Sequence, residues 1–168
     1  PRPRWHKPLW LLGIGLFAMA AVALQWQFGQ YNVYSSRNFY GSLVVRDLHI
    51  NGQLQRQLID GTTSHGAQYL DPALAQQAQS YYRQGTGAAL ALQHFVPAAL
   101  TRSSSQLQQR HIGLVGLGSG ALAAYGTAQH SMVFYEINPA VIQAAEQHFS
   151  YLQDSAAQVQ IHYSLNRR

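Results

Sequence analysis

From Pro8 to Leu24 the chain carries no charged side chain and no strongly polar one, and Arg2, Arg4 and Lys7 stand immediately before it. Trp5, Trp10 and Trp26 lie near the two ends of the run, where amphipathic rings mark a membrane–water boundary. As a helix the run is about 26 Å long, against a hydrocarbon core of about 30 Å, and extension to Phe28 closes the gap. Residues 1–30 therefore read as a transmembrane helix or anchor. Two other readings stay open. The basic start, the apolar stretch and Ala21-Val22-Ala23 also fit a secretory signal with a small-residue cleavage site. A buried soluble helix is disfavoured because the run has no polar face.

Beyond it the period changes to two. Alternation in "YGSLVVRDLHI", the turn pair Asn51-Gly52 and the returning "QLQRQLI" predict a β-hairpin, with Asp60-Gly61 closing the ribbon. Residues 31–71 form this N-terminal β subdomain, which is small and needs a surface to pack on. Residues 72–168 form the last domain. A Gln- and Ala-rich helix is expected from Pro72 to Tyr82. Gly85 and Gly87 interrupt the chain, "AALALQHFVPAAL" reads as a second helix disturbed at Pro97, and "TRSSSQLQQR" as a linker. Strand (111–115), glycine turn, helix (121–129), strand (132–136), helix (139–149) and strand (159–163) follow. Strands alternating with helices imply an α/β domain with a parallel sheet and right-handed crossovers. Pro139 after Asn138 sets a helix start, since proline is preorganised at the first helical position and asparagine caps free amides.

Charge narrows the function classes. The net charge of +5 comes largely from the chain ends, Arg2, Arg4, Lys7, Arg167 and Arg168, so the middle is close to neutral. That is unlike a nucleic-acid footprint, which gathers basic residues on one face. Without cysteine there is no disulfide framework, no thiolate zinc site and no thiol nucleophile. The eight histidines are scattered singly with no metal-binding spacing, so no metal is expected.

The candidate chemistry lies in "LVGLGSGALAAYG" and "EINPAVI". Gly116, Gly118 and Gly120 follow a strand at alternate positions, where missing side chains let a ligand lie across the backbone and free amides can meet a polar group. Glu136 falls at the end of the next strand, where its carboxylate can accept hydrogen bonds from both ribose hydroxyls. This spacing identifies a nucleoside site without choosing the nucleoside. "GLGSGA" fits the pattern of dinucleotide (NAD) enzymes and that of enzymes binding S-adenosylmethionine or its decarboxylated form. A turn that only packs a helix on a strand is weakened by the coincidence of strand, turn, helix and Glu136.

The motifs "RNFYGSLVVRD", "LIDGTTSHGAQYL", "YYRQGTGAALAL", "IGLVGLGSGALAAYG" and "FYEINPAVIQAAEQHFSYLQDSAAQV" make the chain resemble the spermidine synthase family. The likeness is to the bacterial branch in which an aminopropyltransferase-like domain follows transporter-like membrane helices, and it runs from Arg37 to Val159. It implies a methyltransferase-like (Rossmann-like) partial sheet behind the β ribbon. It implies aminopropyl transfer from decarboxylated S-adenosylmethionine to a diamine, with no tightly bound cofactor and no metal. By motif, Gly116, Gly118 and Gly120 would line the nucleoside cleft and Glu136 would hold its ribose. Gln68 would lie near the cleft in the family's "DGxxQ" position, and Tyr81 would match the Tyr of "Tyr-His-Glu", from which Tyr82 departs. The resemblance also implies a bacterial inner membrane with the soluble part facing the cytoplasm. The basic residues ahead of the helix, by the positive-inside rule alone, would leave it on the other side.

Such a transfer needs a neutral attacking amine, hence a carboxylate to take its proton and others to hold the cationic end of the diamine. The chain has six acidic residues: Asp47, Asp60, Asp71, Glu136, Glu146 and Asp154. With Glu136 assigned to ribose, too few remain for a diamine cradle. The family's "GDAR" and "DAFSSD" segments have no counterpart, "SLNRR" follows the third strand, and Leu165 stands where an Asp is expected. The chain, starting at Pro1, reads as a fragment lacking the catalytic half and is expected to be inactive in aminopropyl transfer, with no catalytic residue assigned. A sheet of three parallel strands leaves apolar surface uncovered, so self-association as a homo-oligomer is expected. Two alternatives remain: an NAD- or S-adenosylmethionine-binding module, and a non-catalytic membrane-tethered structural module.

Overall fold

The first unit, Pro1–Asn32, is built on one helix, α1 (His6–Gly29). The computed structural model describes residues 6–94 and 110–163. Every side chain from Pro8 to Gln27 is exposed, although the segment is apolar on all sides. A helix without a polar face has no stable home in water. At 20 residues this one is long and apolar enough to cross a membrane, a test that a signal sequence also meets.

The second unit, Val33–Arg168, holds two sheets. Four strands, β1 (Asn32–Asn38), β2 (Gly41–Ile50), β3 (Gln53–Asp60) and β4 (Thr63–Tyr69), lie in the order β1-β2-β3-β4. The β2·β3 and β3·β4 pairings are antiparallel. The hairpin read from Asn51-Gly52 is present: both residues have positive φ, 52° and 78°, and Ile50 pairs with Gln53. Positive φ at both turn positions matches the turn to the twist of the strands, which is why this dipeptide is so strong a signal.

The second sheet is parallel, with β6 (His130–Glu136) between β5 (Arg110–Val115) and β7 (Gln158–Tyr163). α3 (Pro139–His148) crosses from β6 to β7. Asn138 caps it as expected, its Oδ1 accepting the Ala140 N–H at 3.0 Å with Pro139 at the first helical position. Small side chains let three layers approach closely. Leu43, Val45 and Leu58 of the antiparallel sheet meet Ala140, Ala144, Phe149 and Tyr151, while Ala145 packs with Met132, Phe134 and Leu117 over the parallel sheet. α3 is thus shared, Ala140 and Ala144 facing the antiparallel sheet and Ala145 the parallel one. The opposite face of the parallel sheet is open among the described residues, with Val115 95% exposed and Tyr135 42% exposed. Parallel sheets ordinarily bury both faces.

Two expected helices are corrected. Residues 72–82 form successive turns and a short 3₁₀ segment, Ser80–Tyr82. Carbonyls that an α-helix would use are taken by distant side chains: Gln68 Nε2 donates to Ala75 O and the Tyr151 hydroxyl to Gln77 O. The helix expected over 121–129 is a 3₁₀ turn, Ala121–Tyr125, whose Ala123 carbonyl accepts from both Gly126 N and Ser155 Oγ. The helix read over "AALALQHFVPAAL" is α2 (Gly87–His94). Its continuation past Pro97, the "TRSSSQLQQR" linker before Arg110 and the "SLNRR" tail lie outside the described residues.

Two histidines are held neutral by their surroundings. His130 is buried, its Nδ1 accepts the Thr127 N–H at 3.3 Å, and burial, then Arg110, lower its pKa below the ordinary 6.5. His148, stacked near Tyr34, is lowered by burial and by Arg56, against an opposing pull from Asp47. Because the unfolded chain takes up protons first as pH falls below about 6.5, the stability these groups contribute is complete above that value and is lost beneath it. Urea unfolding of the full chain in detergent micelles should therefore show stability falling from about pH 7.5 to about pH 5.5, with a shallower slope in His130→Asn, whose amide oxygen can accept the same N–H without titrating.

Candidate functional site

The end of β5 runs directly into the glycine turn. Gly116 N donates to Tyr135 O at 2.8 Å, extending the β5·β6 ladder by one bond before the chain turns away. Gly116, Gly118 and Gly120 have φ of 87°, 56° and 79°, a region in which an L side chain is strained. Their surroundings differ. A Cβ at Gly116 would meet nothing within 4 Å, one at Gly118 would stand 2.7 Å from the His65 carbonyl oxygen, and one at Gly120 2.9 Å from Leu152 Cγ. Gly66 of β4 is pressed in turn against the Ser119 side chain. Only Gly116 faces open space. The others let β4 and the residues after α3 close on the turn, so the expectation that Gly120 lines the cleft is corrected to a packing role.

Glu136, the last residue of β6, is buried beside this turn. Its Oε2 accepts Leu117 N at 3.0 Å, and its Oε1 accepts Ile137 N at 2.8 Å and Asn138 N at 2.9 Å. A carboxylate has about four acceptor positions, so about one is left for a ligand hydroxyl. The expected pair of ribose hydrogen bonds is reduced accordingly. Asn138 carries the network outward, its Oδ1 also accepting Asn38 Nδ2 at 2.7 Å.

Gly116, Gly118, Glu136 and Asn138 line a cavity of about 470 Å³ between the two sheets. Tyr40 in the turn between β1 and β2, Asp60 and His65 of the antiparallel sheet, Tyr82, and the apolar Leu114, Val115, Leu117 and Ile137 complete most of its wall. Its size suits a small organic ligand. Among the described residues its lining contains two carboxylates and no lysine or arginine. Among the described residues no group of three or more His, Asp or Glu side chains is placed to hold a metal ion.

Sequence reasoning missed Asp60, Tyr40, His65 and Tyr82. Asp60 was legible as a turn residue, but its direction follows from pairing with Leu43, whose side chain is in the core. Two expected residues lie elsewhere. Gln68 is buried and fully engaged, donating to Ser150 Oγ at 2.8 Å and Ala75 O at 3.1 Å and accepting Ser150 N at 3.0 Å. It lines a separate groove with Arg56, His148 and Asp154, where it pins the turn after α3. Tyr81 is 67% exposed and outside the cavity; its neighbour Tyr82 lines it, with the Tyr82 carbonyl accepting the Tyr125 hydroxyl.

No protein-family model, no curated protein and no solved structure matches the chain.

Glu136→Ala removes the shared acceptor of three N–H groups, two of them buried, and should lower stability by about 2–5 kcal/mol in urea unfolding. Glu136→Gln keeps one acceptor oxygen and should lose less. Equal, small losses for both would mean that these bonds contribute little.

Proposed function

We propose that the second unit is a nucleoside-binding module of the spermidine-synthase-like, Rossmann-like kind. In this reading its parallel sheet seats the adenosine of decarboxylated S-adenosylmethionine or of the related thioether. The observation that carries this reading is Gly116: its Cβ position is free of protein, and it lines a cavity together with Glu136, which retains an acceptor position for a sugar hydroxyl. Ile137 and Leu114 supply apolar wall for a base. α1 would tether the module to a bacterial inner membrane, with the module at the cytoplasmic face.

Two features favour an adenosyl thioether or sulfonium over a dinucleotide. A pyrophosphate is ordinarily met by the aligned amides at the start of a full helix. Here the glycine turn leads into a five-residue 3₁₀ segment, with far fewer aligned peptide dipoles. Among the described residues the cavity wall also offers two carboxylates, and no lysine or arginine, to a doubly charged group.

A second reading is favoured by Gly118, Gly120 and Gly66, whose missing side chains are all used in packing. On that basis the turn serves the fold and the module is a membrane-tethered structural element. The two separate on titration calorimetry of the full chain in detergent micelles. We expect 5′-methylthioadenosine to bind and NAD to bind at least about tenfold more weakly. Gly116→Val, which fills the only open glycine position of the turn, should abolish the nucleoside signal. A folded protein that binds neither compound supports the structural reading, and one that prefers NAD supports the dinucleotide reading.

A further inference from the structure

We infer that Asp60 makes the cavity selective for a nucleoside bearing a positive charge, a 5′-sulfonium over the neutral 5′-thioether. The inference rests on the nucleoside reading and adds the source of charge discrimination. The cavity has two carboxylates, and they differ in what they already hold. Glu136 accepts three backbone N–H bonds, so most of its charge is neutralised by fixed dipoles. Asp60 has no hydrogen-bond or ion-pair partner among the described residues, where the one ion pair joins Arg56 to Asp47.

Its position is set by the fold. Asp60 ends β3 opposite Leu43, on the side of the sheet that carries Leu58 into the core. Gly41, at φ +146°, brings backbone so close that a Cβ there would lie 2.7 Å from Asp60 Oδ1. The carboxylate is therefore partly screened from water on one flank and open to the cavity on another. A partly desolvated, unpartnered carboxylate is relieved by a cation brought beside it. Tyr40 and Tyr82 line the same space and add side chains tolerant of a cationic alkyl group. The chain as a whole carries +5, so the preference must come from this local group and not from net charge.

The test compares two nucleosides that differ by one methyl group and one charge: 5′-methylthioadenosine and its S-methyl sulfonium. Calorimetry on the full chain in micelles, at one fixed pH for all proteins, gives the ratio of their affinities. Wild type should prefer the sulfonium by about fivefold or more, and the preference should shrink as salt rises. Asp60→Asn should bring the ratio close to one, while Glu146→Gln, which removes the same charge from an exposed helix position, should leave it unchanged. A wild-type ratio near one, a salt-independent ratio, or loss of the ratio in Glu146→Gln as well would overturn the role of Asp60 and leave the nucleoside reading standing. Failure of wild type to bind either compound would overturn both. The salt dependence in wild type decides the matter even if Asp60→Asn does not fold.

Discussion

A single carboxylate holds the ends of two parallel strands together. Glu136 takes Leu117 N from the turn after β5 and Ile137 and Asn138 N from the turn after β6. These amides lie where the strands stop, beyond the reach of the sheet ladder, and buried N–H groups must find an acceptor somewhere. Asn138, fixed by its own N–H to Glu136, then caps α3 through its side chain and accepts Asn38 at the end of β1. One acidic residue thus sets the glycine turn, the start of the shared helix and a tie to the antiparallel sheet. The same arrangement that a nucleoside would use is already required by the fold, which is why one acceptor position and not two remains for a ligand.

The glycines divide along the same line. Gly118, Gly120 and Gly66 exist because backbone, Leu152 and Ser119 come within distances that no Cβ tolerates. Without them the antiparallel sheet could not close on the parallel one, and the cavity between them would have no second wall. Gly116 has no such neighbour. Its left-handed backbone still favours glycine, yet no protein atom stands within 4 Å of its Cβ position, and Gly116 is one of the residues lining the cavity. Close packing and an open position are therefore found at neighbouring residues of one motif. Asp60 shows the complementary case, a charged group that the fold brings to the cavity wall without giving it a partner among the described residues.

Local signals carried much of this architecture. Asn51-Gly52 specified its turn because both residues tolerate positive φ, and Asn138-Pro139 specified a helix start through capping and ring geometry. The three parallel strands were readable from their apolar runs and the helix between them. What failed was decided at long range. The 72–82 segment has helical composition, but Gln68 and Tyr151, the latter 74 residues from Gln77, capture its carbonyls. Ser155 does the same to the turn after Gly120. Gly116 and Glu136 were legible because their spacing reflects strand ends. Asp60 was not, because its direction depends on the pairing of β2 with β3. Gln68 was misplaced because a motif position says nothing about which hydrogen bonds the side chain has already made.

The account stands on an open seat beside Gly116 and Glu136. Amide chemical shifts of isotope-labelled full chain in micelles, followed while 5′-methylthioadenosine is added, test it directly. The expected result is a saturable change at Gly116, Leu117 and Ile137, with Gly120, Gln68 and Ser150 little affected. Changes centred on Gln68 and Ser150, or none at Gly116 and Leu117 under saturating nucleoside, would contradict it.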